Sequence, residues 1–286
     1  LLRVAALPLI ALAATLLSLA IHVDVLPAPA AQFLMLAIGV IMALVLERWL
    51  PLRQSWRRHD GEVRVDAQSW AVMMFIVDPL MKFALLPGLM VVAAAVAPPA
   101  LLEAFPREWP VLAQFVLALL IAETGQYALH RLAHRPGALW PMHRVHHNPA
   151  RVYWLNGFRV HPLNIAWHQV SGVFALMAIG TPQPVVQMVV VVAVAVSVMQ
   201  HVNADIECAG FNRVFSTPDL HRWHHALDAK EAACNFGTVL MVWDWLLGTY
   251  RPARGRAPDA VGVMGVPSGE GYVAQVLGAL RRDRLS

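Results

Sequence analysis

The sequence predicts an all-α fold: a polytopic membrane helical bundle with a cytoplasmic, histidine-rich helical cap. Three observations predict it. Apolar residues make up 58% of the 286 and charged residues only 14%, where a soluble domain carries about 25%. The apolar residues fall in runs long enough to cross a bilayer. Eleven of the thirteen histidines lie between His130 and His225.

A spanning helix takes about 20 mostly apolar residues. Residues 4–21 are the first such run; its length, and the second run close behind it, read as a retained helix rather than a cleaved leader. Residues 33–46 are the second, extending to Leu50 if Glu47 and Arg48 reach the interface. A polar loop, "ERWLPLRQSWRRHDGEVRVD", follows. Residues 72–96 are the third span, interrupted by Asp78, Pro79 and Lys82. Asp78 and Lys82 are four apart and share a helix face, as a structural ion pair or as functional groups. Residues 111–129 form the fourth span and run straight into His130 and His134. Residues 163–179 and 185–199, joined by "GTPQP", form a tight hairpin, either two full spans or partly re-entrant. The segment "RPARGRAPDAVGVMGVPSGEG" reads as a surface loop. Beyond it Tyr272, Val273, Val276, Leu277 and Leu280 make an apolar stripe ahead of "RRDR". The stripe fits a helix at the membrane interface or one packed on the domain. The expected organisation is N-terminal helices over 1–109, a histidine-bearing domain over 110–252 and a tail over 253–286.

Six spans with both termini inside place 20 of the 22 basic residues on the cytoplasmic side, as the positive-inside rule requires. Arg107 falls outside and Lys82 within a span. The net charge of +4 suits loops facing an anionic leaflet and does not call for nucleic acid. Cys208 and Cys234 form no CxxC pair and read as ordinary small residues.

On a helix, residues at i, i+3 and i+4 share one face. "HRLAH" puts His130 and His134 one turn apart; "HRVHH" gathers His143, His146 and His147, and "HRWHH" gathers His221, His224 and His225. Charged imidazoles so close would repel one another, whereas neutral ones sharing a metal do not. Eight ligands exceed the four of a structural zinc and suit two metals with open positions. His201, at the end of the sixth span, is a ninth candidate. His161 is a candidate supporting residue, and His168 could hydrogen-bond within the bundle. His22 and His59 are isolated and read as non-functional. Glu123, Tyr127, His130 and His134 follow at spacings of four, three and four, which places them on one face. A carboxylate at membrane depth needs a partner, and Glu123 is expected to accept the outer N–H of a ligating histidine.

With these flanks, "ETGQYALHRLAH", "LWPMHRVHHNP", "FRVHP", "QHVN" and "CNFGTVLMVWDWLLGTY", the chain resembles the fatty acid hydroxylase and sterol desaturase superfamily. The resemblance covers residues 122–252. Glu123 stands where aspartate is usual there, and Trp245 where a basic residue is common. The resemblance implies two iron ions held by the nine histidines, with Glu123, Tyr127, His161 and Asn235 in support. It implies O2 as co-substrate and electrons from a cytochrome b5-like protein, a ferredoxin or a reductase. The substrate would be a lipid (fatty acyl, sterol or related), hydroxylated or desaturated. The imidazoles alone do not name iron, because they suit Zn, Cu, Fe and Ni alike. Two other readings compete. A zinc-dependent membrane hydrolase would need a general base, and HExxH is missing. A metal transport or storage protein would place its ligands at the bilayer midplane.

Overall fold

The computed structural model describes residues 1–57, 61–137, 139–253, 255–266 and 269–280. His59 and the "RRDR" segment lie outside the described residues. The described residues are helical, with isolated β-bridges and no strand.

Five helices are long and apolar enough to cross a membrane: α1 (Leu2–His22), α2 (Ala28–Trp49), α3 (Glu62–Val96), α4 (Val111–Ala133) and, after two shorter helices, Gln183–Gln200. The first of the shorter ones is α5 (Trp140–His147), and the second is α6 (residues 162–178), which makes Gln183–Gln200 α7. The predicted runs are all found as helices, and all but α6 extend further than expected. The main difference is α3. It starts at Glu62, ten residues before the expected span, and it carries widened π-type turns at Met73–Val77 and Met81–Leu85.

The reason lies in buried charge. Glu62 and Asp66, which read as loop residues, are 3% and 0% exposed. Asp66 accepts from Arg159 Nε and from the Tyr153 hydroxyl. Glu62 pairs with Arg151 at 3.2 Å. Each buried charge finds an opposite partner, as desolvation demands, and that pairing draws the polar segment into the helix. Asp78 and Lys82 do pair, at 2.9 Å, but on the outer surface, 36% and 46% exposed.

α6 has 17 residues, about 25 Å at 1.5 Å per residue. Its link to α7 nevertheless reaches the far side of the bundle. Phe105 N–H donates to Ile179 O, and Arg107 Nε donates to Gly180 O. The two helices are therefore a hairpin that returns to the histidine side. α6 packs closely on α4 because Gly125 has no side chain: a Cβ there would fall on the Ser171 carbonyl oxygen.

α1, α2 and α7 share one apolar core through Ala6, Ile10, Ala31, Met35, Val191 and Ala195. The N-terminal helices thus pack directly on a helix that the sequence assigns to the histidine-bearing domain. Arg3 meets Asp205 at 2.9 Å, which puts the start of α1 at the histidine end. Short helices follow α7, among them α8 (Pro218–His224) and α9 (Val242–Leu246). The last, α10 (Tyr272–Leu280), packs on the protein: its Tyr272 hydroxyl donates to Val160 O at 2.9 Å. Its other side leaves Val273, Leu277 and Leu280 exposed.

Candidate metal centre

All the histidine-bearing elements end at one place. α4 delivers His130 and His134, α5 delivers His143, His146 and His147, the end of α7 delivers His201, and α8 with its cap delivers His221, His224 and His225. The nine sort into two groups. His130, His134, His143, His147 and His224 form one; His146, His201, His221 and His225 form the other. Within each group the candidate ligand nitrogens lie within 4.8 Å of one another. The groups adjoin, with the His147 and His225 rings stacked at 4.2 Å between centroids.

For five of the nine rings the tautomer follows from a hydrogen bond on the outer side. His130 Nδ1–H donates to Phe236 O at 2.7 Å and His224 Nδ1–H to Cys234 O at 2.9 Å. His143 Nδ1–H donates to Asn164 Oδ1, and His201 Nδ1–H to Asn156 Oδ1, both at 2.8 Å. His146 Nδ1–H points to Arg159 O at 3.3 Å. A neutral imidazole with Nδ1 protonated keeps a lone pair on Nε2. Those Nε2 atoms turn inward. His130, His134 and His224 bury theirs without a hydrogen-bond partner. His143 and His147 Nε2 lie 3.1 Å apart, and His221 Nε2 lies 3.0 Å from His201 and 3.1 Å from His225. Lone pairs facing one another in a buried site are costly, and a shared cation removes that cost. Nitrogens on adjacent corners of an octahedral ion with bonds of about 2.1 Å stand about 3.0 Å apart. The donor set therefore fits a pair of metal ions.

Electrostatics agree. Burial, then the charge of neighbouring imidazoles, holds His143, His147, His221 and His225 well below the ordinary histidine range. His146 is pushed down to about 4, mainly by burial. The imidazoles are neutral at physiological pH, the form in which they bind metal.

The four supporting candidates stand apart from the ligand atoms. Glu123 accepts from the backbone N–H groups of Thr238, Val239 and Leu240 at 2.7–3.1 Å, in place of the expected imidazole N–H. The physical reason is that the loop after Asn235 turns its own donors onto the carboxylate, while His130 takes the Phe236 carbonyl. Tyr127 hydrogen-bonds Thr249 Oγ1 at 2.8 Å and sets its ring edge-on against Phe236. His161 caps α6, accepting from Leu163 N–H at 3.1 Å; it positions the helix that carries Asn164. His168 stands 6.0 Å from His130, ring to ring, and belongs to neither group.

Asn235 has the most direct part. Its φ of +53° is left-handed, a region asparagine tolerates better than most residues. Its Nδ2 donates to Leu220 O and Arg251 O, and its Oδ1 accepts from Arg251 N–H. It thereby fixes the turn in which Cys234 and Phe236, one residue to either side, direct their carbonyls at His224 and His130. Asp244 completes the turn by accepting from Phe236 and Gly237 N–H at 2.9 and 2.7 Å. Sequence reasoning missed Asn156, Asn164 and Asp244. "FRVHP" borders on Asn164, but a lone asparagine carries no spacing signal.

Spanning helices that converge on two all-imidazole groups define a polytopic membrane protein with a candidate dinuclear metal site. The model of the fatty acid hydroxylase family matches residues 115–249, which hold all nine histidines. The chain is also 34% identical over 241 residues to the ornithine lipid hydroxylase OlsE of Rhizobium tropici, covering 83% of this chain and 72% of that protein. The chain belongs to the fatty acid hydroxylase family. No solved structure matches it.

Proposed function

We propose that this protein is an O2-dependent hydroxylase of a membrane lipid, with His130, His134, His143, His147 and His224 holding one iron ion and His146, His201, His221 and His225 a second. The observation that carries the reading is the gathering of nine imidazoles into two adjoining groups, with outer acceptors on Nδ1 leaving the Nε2 lone pairs of five of them turned inward. Bound iron would supply the activation of O2 with electrons from a donor protein; the balance is R–H + O2 + 2 e⁻ + 2 H⁺ → R–OH + H2O. The protein's own part is to fix the ligand tautomers through Asn156, Asn164 and the carbonyls of Arg159, Cys234 and Phe236. It also buries the site so that water is excluded.

A lipid carrying ornithine is the proposed substrate, because the relative named for that substrate matches most of this chain. Hydroxylation is favoured over desaturation for the same reason. The basic loops at the histidine end support a cytoplasmic site, where a cytochrome b5-like protein, a ferredoxin or a reductase would deliver electrons. A hydrolytic zinc site is disfavoured: the two groups contain no carboxylate, and Glu123 is engaged by three backbone donors.

Two measurements test the reading. Metal analysis of the purified protein should find two irons per chain; zinc alone would overturn it. Expression in a host that makes ornithine lipids, under isotopically heavy O2, should yield a hydroxylated lipid bearing the heavy atom. Label that arrives from water instead would exclude an oxygenase.

A further inference from the structure

α1 and α4 both pack beside α7, and an apolar cleft of about 190 Å3 runs between them. Leu7 and Ala14 from α1, Phe115 and Leu119 from α4, and Val196 from α7 line it. It is larger than the engineered apolar cavity of about 150 Å3 that stays dry and takes up benzene. At its mouth Thr15 is exposed, and beside it Leu12 and Leu16 are more than half exposed on the outer surface of a spanning helix. The cleft therefore lies at bilayer depth, on helices that meet lipid.

One end is different in kind. Ser216 lines the cleft, is 1% exposed, and buries a hydroxyl with no hydrogen-bond partner among the described residues. The two other hydroxyls of the lining are already engaged, Thr15 with Ala11 O and Thr217 with Asn212 Oδ1. A buried hydroxyl left unpaired is costly, and a water molecule there would need two to four polar neighbours. Ser216 stands five residues before His221, and Met199, also in the lining, stands two before His201. The polar end thus adjoins elements that carry the second histidine group.

We propose that this cleft holds an acyl chain of the substrate lipid, with the Ser216 hydroxyl donating to the carbonyl of the ester or amide that joins chain to headgroup. The assignment rests on the lipid hydroxylase reading above. An acyl chain matches the apolar walls, and its linkage carbonyl supplies the acceptor that the walls lack.

The test uses the full-length protein in phosphatidylcholine vesicles with two photoreactive lipids that carry the same diazirine acyl chain. One is an N-acylated ornithine; the other is a phosphatidylethanolamine. The ornithine probe should label peptides containing Leu7–Thr15 and Phe115–Leu119, and unlabelled ornithine lipid should compete. Ser216→Ala should weaken that labelling about three- to tenfold, as loss of one neutral hydrogen bond implies. Thr15→Trp, at an exposed position that tolerates bulk, should block the mouth and abolish it. Label spread evenly over the lipid-facing helices would overturn the proposal. So would equal labelling by the phosphatidylethanolamine probe, which would mark a bystander lipid. Because labelling needs no turnover, a labelled cleft in a protein that incorporates no heavy oxygen would overturn the hydroxylase reading and leave the lipid site standing.

Discussion

Asn164 has one observed task at the site, to accept the Nδ1–H of His143, and so it separates orientation from ligation. Asn164→Leu keeps the bulk and removes the acceptor. Loss of such an outer partner typically costs about 10–100-fold in metal affinity or activity. The variant should fold, bind its metal that much more weakly in competition with a chelator, and leave the His201 group intact. The imidazoles also set a pH dependence in the metal-free protein. Their folded pKa values lie below the ordinary value of about 6.5, with His146 at about 4. The unfolded chain binds more protons between those limits, so stability rises with pH across that window. It is fully present above about pH 6.5 and is lost as pH falls toward 4. Thermal melts of the metal-free protein at stepped pH should show this, and a flat profile would show that the imidazoles are not buried together. Six of the nine histidines were legible because a doubled HxxHH is a periodic signal, His130 and His134 because they stand one helical turn apart, and His201 from its place at the end of a spanning run. Asn156 and Asn164 were not, because they lie 45 and 21 residues from the rings they serve.

At the scale of elements, the turn from Cys234 to Gly237 decides how two ligands are aimed. Asn235→Gly keeps the left-handed backbone and deletes three side-chain hydrogen bonds. Asn235→Ala deletes the same bonds and adds a backbone cost of about 1–2 kcal/mol. The alanine variant should therefore melt lower than the glycine variant, and both below the parent. Equal melting temperatures would place the residue's importance in its side chain alone. The spans were legible from run length. The start of α3 was not: Glu62 and Asp66 look like loop residues until Arg151 and Arg159, more than 80 residues away, are seen to neutralise them. Glu123 shows the same limit. Its helix face could be read from the sequence, but the three backbone donors that reach it come from a segment more than 110 residues later.

The whole molecule is a bundle whose chain repeatedly returns to one end. The start of α1, the ends of α2, α4 and α7, and α10 all meet there, held by contacts such as Arg3–Asp205, Glu47 with Asn203 N–H, and Tyr272 with Val160 O. A reporter inserted after Asp24 should read on the opposite side of the membrane from one fused at the C-terminus. The C-terminal fusion should read cytoplasmic; both reporters on one side would overturn the six crossings that the sequence predicts. The nine candidate ligands span residues 130–225, and the turn that aims two of them is held by Asp244, Thr249 and Arg251. Neither histidine group is complete until α7 has been inserted and the chain beyond it has left the ribosome. A metal held by these groups would therefore be loaded late in biogenesis, after the membrane helices that frame the site are in place.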